Sequence, residues 1–214
     1  MPKISEQQRQ ARRDQILAAV WRCFLRKGVH GTSMEDLIRE SGLSAGAVYL
    51  YFKSKHELIL AAISTYMGQL GGYLAPVLMR EEPLEPLPFV HEMMAAIGKH
   101  TNRGEIDLNS VILMGWSEAQ TNPDVKALVT SFQTRYRDVL TGVVRKWQQR
   151  RYMSAETAPE DVAKALLSLF LGTIVQEALL GEADPATLTR GVEGLLGAGA
   201  SQRSSANRTK REKH

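Results

Sequence analysis

The chain has 214 residues, 43% of them hydrophobic and 23% charged, with a formal net charge of +4. That is length enough for one large domain or two small ones, each with a core. A single cysteine, Cys23, excludes an internal disulfide and fits a reducing cytoplasm. No signal-peptide pattern opens the sequence and no unbroken apolar run reaches the ~20 residues of a membrane span, so a cytoplasmic protein without a membrane partner is expected.

The charge is unevenly placed. Residues 1–60 hold ten Lys and Arg against six Asp and Glu, residues 61–200 twelve against sixteen, and residues 201–214 five against one. A basic front on an acidic middle fits an anion-binding head on a body that stays clear of nucleic acid.

Taken in order, the elements all read as helix. Ile16, Leu17, Val20, Trp21, Phe24 and Leu25 recur at helical spacing, with Ser5 and Gln8 as a cap and Gly28 as the stop. Cys23 falls among Val20, Trp21 and Phe24, which marks it as a buried structural thiol rather than a redox sensor. Thr32 with Glu35 reads as a capping box, opening a helix from about Ser33 to Glu40 with Leu37 and Ile38 inward. Gly42 supplies the left-handed residue that ends it, Leu43 plugs the corner, and Ser44 caps the next helix. That helix starts with Ala45, Gly46 and Ala47, turns Val48 inward, and ends with Tyr49 and Tyr51. Small side chains let a helix start press close to another surface. Aromatic hydroxyls beside Lys53 and Lys55 suit phosphate oxygens. Two short helices on a tight turn make a helix-turn-helix, and the partner it suits is double-stranded DNA.

Ser54 and Glu57 form a further capping box, so a long helix should run to about Met79, weakened at Gly71 and Gly72. Glu81 to Pro88 reads as a proline-rich connector. Phe89, Val90, Met93, Met94, Ile97 and His100 trace one helical face, Thr101 to Asn109 is a polar loop, and Val111 to Gln120 is a shorter helix. Asn122-Pro123-Asp124 starts a long amphipathic helix carrying Val125, Val129, Phe132, Tyr136, Leu140, Val143 and Trp147. Thr157 with Glu160 opens the next helix, and Asp184-Pro185 the last. The basic segment 201–214 has no periodicity and is expected to be a disordered tail.

Enzyme signals are weak and fail on inspection. His91-Glu92 lacks a second histidine at Ala95, and Gly115-Trp116-Ser117 meets Ala119 where a nucleophile elbow needs glycine. The glycines of 191–199 follow no strand, and the five histidines show no metal spacing. No catalytic residue, metal or cofactor is expected. The helix from Pro159 to Leu180 is apolar over a broad arc including Leu167, Phe170, Leu171, Ile174 and Ala178. Together with Leu188, Val192 and Leu195 on the last helix, it suggests a four-helix bundle across a homodimer two-fold axis.

The run Thr32-Ser33-Met34, the run Ser41 to Lys55 (SGLSAGAVYLYFKSK), and Glu57-Leu58 resemble the DNA-binding signature of TetR-family repressors. The resemblance implies an all-α fold: an N-terminal three-helix DNA-binding domain over residues 1–53 and a helical effector-binding and dimerisation domain over 54–200. It places Thr32, Ser33, Arg39, Ser44, Ala45, Gly46, Ala47, Tyr49, Tyr51, Lys53 and Lys55 at a palindromic operator. Ala45 and Ala47 stand where relatives carry polar side chains, and Leu50 replaces a commonly polar or aromatic residue. Short apolar groups touch thymine methyls but make no bidentate base contact. Specificity would then lean on Arg39, Ser44, the N-terminal arm and DNA shape.

The body is rich in Met and aromatic residues, Tyr66, Met67 and Trp147 among them. In the region where this family binds effectors, Met93, Met94, Ile97, Met114, Trp116, Phe132, Tyr136 and Phe170 would line a mostly apolar pocket for a small-molecule effector. His100, Glu118 and Gln176 would orient the ligand. The alternative is a DNA-binding regulator whose body takes a protein partner and no small ligand.

Overall fold

The structure, a computed structural model, describes residues 5–101, 108–181 and 184–196, and those residues are helical without a strand. The order is α1 (Glu6–Lys27), α2 (Met34–Ser41), α3 (Ala45–Tyr51), α4 (Lys55–Leu78), α5 (Pro86–Thr101), α6 (Leu108–Glu118), α7 (Pro123–Gln149), α8 (Pro159–Leu180) and α9 (185–196). The expected all-α class is the observed one. The expected basic tail at 201–214 and most of the expected loop at 101–109 lie outside the described residues.

Local chemistry accounts for the helix ends. Ser5 and Gln8 form a reciprocal capping box at α1, and at its far end the Gly28 amide donates to the Phe24 carbonyl at 2.8 Å. The cap of α2 is Ser33, not Thr32: its hydroxyl accepts from the Asp36 amide and the Asp36 carboxylate accepts from the Ser33 amide, both at 3.1 Å. The frame expected from Thr32 and Glu35 is thus one residue early. A carboxylate at the third helical position closes the same box that glutamate would.

Three other expectations are corrected. At α4 the Ser54 hydroxyl accepts from the Glu57 amide, but the Glu57 carboxylate takes the Lys53 amide at 2.7 Å and closes no reciprocal box with Ser54. Helix α5 begins at Pro86, inside the expected connector, because a proline in the first turn forfeits no hydrogen bond. Helix α8 has Ala158 at its cap with no side-chain bond, Pro159 follows, and Glu160 pairs with Arg145 at 2.7 Å. Asn122 and Asp184 do cap α7 and α9, each accepting backbone amides at 2.9–3.2 Å.

The chain forms two compact units, Met1–Tyr73 with Lys99–Arg137, and Leu74–Gly98 with Asp138–His214. The division falls inside α4 and α7. The first unit buries Ile16, Leu17, Val20, Phe24, Leu37, Val48, Leu58 and Val111. Gly71 serves close packing there, since a Cβ on it would lie 3.2 Å from the Tyr136 hydroxyl. The second unit is centred on Phe89, whose ring meets Trp147 edge-on at 5.2 Å and Phe170 at 6.4 Å. The Trp147 indole donates to the Leu84 carbonyl at 2.7 Å, tying the connector to this core. Two helices, Lys55–Leu78 and Pro159–Leu180, are long and apolar enough to cross a membrane by length and composition, contrary to the reading of the sequence. A helix that packs into a protein core passes the same test, as α4 does here with Leu58, Ile59, Ala62, Ile63 and Tyr66.

The cap of α2 carries a pH signature. The Lys27 ammonium, and after it the Ser33 amide, hold the Asp36 carboxyl well below its ordinary range. A group whose folded pKa is depressed stabilises the fold above its unfolded pKa and loses that contribution as pH falls toward the folded value. Urea titrations should therefore show wild type more stable than Asp36→Asn by a constant margin at pH 5–7. The margin should shrink below about pH 4, where the unfolded carboxyl protonates.

Candidate nucleic-acid interface

The helix-turn-helix is set by α1. Glu40 accepts from Arg22 at 2.7 Å and Arg26 at 2.6 Å, Asp36 accepts from Lys27 at 2.8 Å, and Gln15 donates to the Ser41 carbonyl at 2.8 Å. The two arginines, Arg26 first, hold the Glu40 carboxyl below its usual range. Arg13 lies over the Phe52 ring at 5.5 Å and donates to the Thr65 hydroxyl at 3.3 Å, joining α1 to the end of α3 and to α4. Solvent-facing ion pairs of this kind contribute little stability each. Here they span α1 and α2 beside the buried apolar contact of the two helices. Much of the positive charge on α1 is therefore committed inside the head.

Gly42, at φ 68°, makes the left-handed turn after α2. The Ser44 hydroxyl then accepts from the Ala47 amide at 3.3 Å, and Val48 anchors α3 as a fully buried side chain. At 100° per residue, Gly46 and Leu50 point almost opposite Val48. Leu50 is 66% exposed, and a Cβ on Gly46 would meet nothing within 4 Å.

The expected DNA residues divide by what they offer. Ser33, Arg39, Ser44, Ala45, Gly46, Tyr49 and Lys53 are exposed, while Ala47, Tyr51 and Lys55 are half-buried. Among the described residues the Lys55 ammonium has no ion pair or hydrogen bond, whereas Lys53 donates to the Tyr49 carbonyl at 2.6 Å. Arg39 is paired with Asp36. Thr32 is a correction: it is 2% exposed, and its hydroxyl donates to the Gly28 carbonyl at 2.8 Å. It ties the α1–α2 loop together and presents nothing to a partner. Cys23 is buried as expected, and burial is the chief cause pushing its thiol up from the ordinary value.

Within the same unit a cavity of about 20 Å³, measured at the centre of a water molecule, lies between helices. Trp21 of α1, Ile63, Tyr66 and Met67 of α4, Val111, Ile112, Gly115 and Trp116 of α6, and Val129 of α7 line it. That is room for one water. Of the expected effector residues, only Trp116 lines this cavity. Met93, Met94, Ile97 and Phe170 are buried in the core of the other unit. Gln176 is exposed, Met114, Phe132 and Tyr136 are half-buried, and the side chain of His100 lies outside the described residues. Phe132 sits under Arg135 at 5.9 Å, and burial raises the Tyr136 phenol above its usual value. Sequence periodicity marks which face of each helix is apolar but not which faces meet, so Trp21 and Ile112 carried no signal of a shared cavity.

Glu118 is 7% exposed and belongs to a polar chain. One carboxylate oxygen is 3.5 Å from His30 Nε2 and the other accepts from Asn122 at 3.2 Å. Asn122 Nδ2 is 3.4 Å from His56 Nδ1, and His56 Nε2 is 2.9 Å from Asp124. This chain links the α1–α2 loop, the start of α4, the end of α6 and the start of α7. Of the expected dimer residues, Phe170 and Ile174 are buried within the protomer. Leu167, Leu171, Ala178, Leu188 and Val192 are half-buried and Leu195 is exposed.

Known proteins share both the sequence pattern and the helical architecture. Residues 16–62 match the family model described as bacterial regulatory proteins, tetR family. Residues 95–198 match that of the BetI-type transcriptional repressor, C-terminal. The HTH-type transcriptional regulator UidR of Escherichia coli (strain K12) is 24% identical over 188 residues, 88% of this chain and 92% of UidR. Salmonella enterica GusR superposes with a TM-score of 0.71 at 22% identity, covering 92% of this chain and 100% of GusR. The transcriptional regulator FadR from Bacillus subtilis in complex with stearoyl-CoA superposes with a TM-score of 0.69 at 16% identity, covering 86% and 97% of the two chains. From the helix-turn-helix built by α1–α3 and the two family matches over residues 16–62 and 95–198, the chain belongs to the TetR family of transcriptional regulators.

Proposed function

We propose that this regulator is a cytoplasmic repressor that binds a palindromic operator as a homodimer and releases it when a small, mostly apolar effector binds. The observation that carries the reading is the cavity behind the head. Its wall includes Trp21, on the helix that orients α2 and α3, together with α4, α6 and α7. A ligand larger than one water binds only a state in which these helices have moved apart. Its binding energy therefore selects that state, and α1 moves with it. The chain from His30 through Glu118 to Asn122 is a second physical link between the same elements. FadR, solved with stearoyl-CoA, is a precedent for a ligand in this fold. It does not specify the ligand for this chain.

What supports dimerisation is the apolar surface that α8 and α9 leave uncovered. Leu179 is 68% exposed and Leu195 79%, with Leu180 and Leu196 similarly bare. Removing each from water contributes up to about 1.5–3 kcal/mol, and four leucines at the ends of two adjacent elements are more than a scattered surface leucine explains. The contact surface is therefore the exposed edge of α8 and α9, not Phe170 or Ile174. Two heads on a two-fold axis would meet half-sites about one DNA turn apart, ~34–36 Å.

On this reading Tyr49 and Lys55 contact phosphate. Lys55→Ala should weaken binding to every duplex alike and reduce the slope of log affinity against log salt by about 1 for each phosphate it leaves unneutralised. Binding isotherms at several salt concentrations measure this, and an unchanged slope removes Lys55 from the interface. For assembly, Leu179→Glu with Leu195→Glu should yield a folded monomer in sedimentation that has lost tight operator binding. A dimer that survives both charges would place the interface elsewhere.

A further inference from the structure

The face of α3 opposite Val48, formed by Gly46 and Leu50, carries no hydrogen-bonding side chain, while the exposed Tyr49 lies to its side. Ala45, Gly46 and Leu50 are exposed and Ala47 is half-buried. The Ser44 hydroxyl accepts from the Ala47 amide as the cap, the Arg39 guanidinium is paired with Asp36, and the Lys53 ammonium donates to the Tyr49 carbonyl, each retaining donors beyond these contacts. Gly46 and Leu50 are four residues apart, so they lie one turn from each other on the face opposite Val48. The bare backbone at Gly46 permits close approach. The isobutyl group of Leu50 is the longest side chain on that face.

An apolar face against a major groove has few features to read. Donors and acceptors on the base edges find no partner in leucine or alanine, and the apolar group on those edges is the methyl at C5 of thymine. A cytosine methylated at C5 presents the same methyl at the same ring position. We infer that Leu50 determines sequence preference by packing against a C5-methyl pyrimidine in the major groove, with Gly46 setting how closely the helix approaches. This rests on the reading of α3 as the helix that enters the groove. It assigns the discrimination to methyl burial, not to Arg39 or Ser44.

The test uses the full-length protein and a duplex selected by it from a random pool. Each thymine of the half-site is replaced in turn by deoxyuridine, which removes one methyl and leaves base pairing intact. At the thymine under Leu50, wild type should lose about four-fold in affinity per methyl, the value of one buried carbon group. Leu50→Ala should bind the selected duplex more weakly and show little further loss on the uracil substitution. At a half-site where cytosine replaces that thymine, methylating the cytosine at C5 should restore part of the wild-type affinity and none in Leu50→Ala. Circular dichroism checks that the variant keeps its helix content, as an exposed position allows. A uracil penalty equal in wild type and Leu50→Ala, no penalty anywhere, or a half-site without thymine would overturn the inference while leaving DNA binding intact. Failure to select any duplex would overturn the reading of α3 itself.

Discussion

The burial of α1 is the constraint on which the rest depends. One side of this helix, through Ile16, Leu17, Val20 and Phe24, is almost wholly removed from water in the core beneath α2 and α3. Trp21 leaves that core for the cavity wall with α4, α6 and α7, while its ring still meets Phe24 edge-on at 6.1 Å. Packed interiors do not deform continuously, so a helix shared by two clusters passes displacement in one to the other. The ion pairs of Arg22, Arg26 and Lys27 with Glu40 and Asp36 join α2 to that helix. On the proposed reading, the angle of the head follows whatever happens to α1.

The same contacts recast the electrostatics. The front of the chain is basic, yet several of its cations neutralise carboxylates within the head. Nonspecific attraction to DNA then depends on a smaller set, with Lys55 an unpaired member among the described residues. On the proposed reading, selectivity rests on shape and methyl contacts. A reader of this kind would discriminate modestly at each base, and the proposed dimer, engaging two half-sites, would compound the discrimination.

Much of the local architecture was legible in the sequence because it is written in short-range chemistry. Ser5 with Gln8, Gly28, Gly42, Ser44, Asn122 and Asp184 each act within four residues of themselves, and the apolar spacing of α1 and α7 marks their buried faces. Errors arise where two neighbouring residues could fill one role, as with Thr32 and Ser33. They also arise where proline could begin a helix as easily as interrupt a connector, as at Pro86. Long-range facts were not legible. The Met and aromatic residues expected to line one pocket fall into two separate cores, because Met93 and Trp116 look alike in sequence while packing in different units. Phe170 and Ile174 read as an outer face of α8 and are its inner one, since a helix apolar on a broad arc does not declare which side its own chain will cover.

Gly115 offers the most direct test of the coupling between cavity and head. A Cβ at this position would make only ordinary contact, 4.0 Å from Ile63, and replacing a helical glycine favours the helix by about 1 kcal/mol. Leucine there carries more bulk than a space for one water accepts, so it forces α4 and α6 apart as a ligand would. The affinity of Gly115→Leu for the selected operator should fall at least about ten-fold, corresponding to roughly 1.4 kcal/mol of population shift, with helix content and dimer mass unchanged. Operator affinity equal to wild type in a folded Gly115→Leu dimer would contradict the account. It would show that the cavity is packing imperfection, uncoupled from the head.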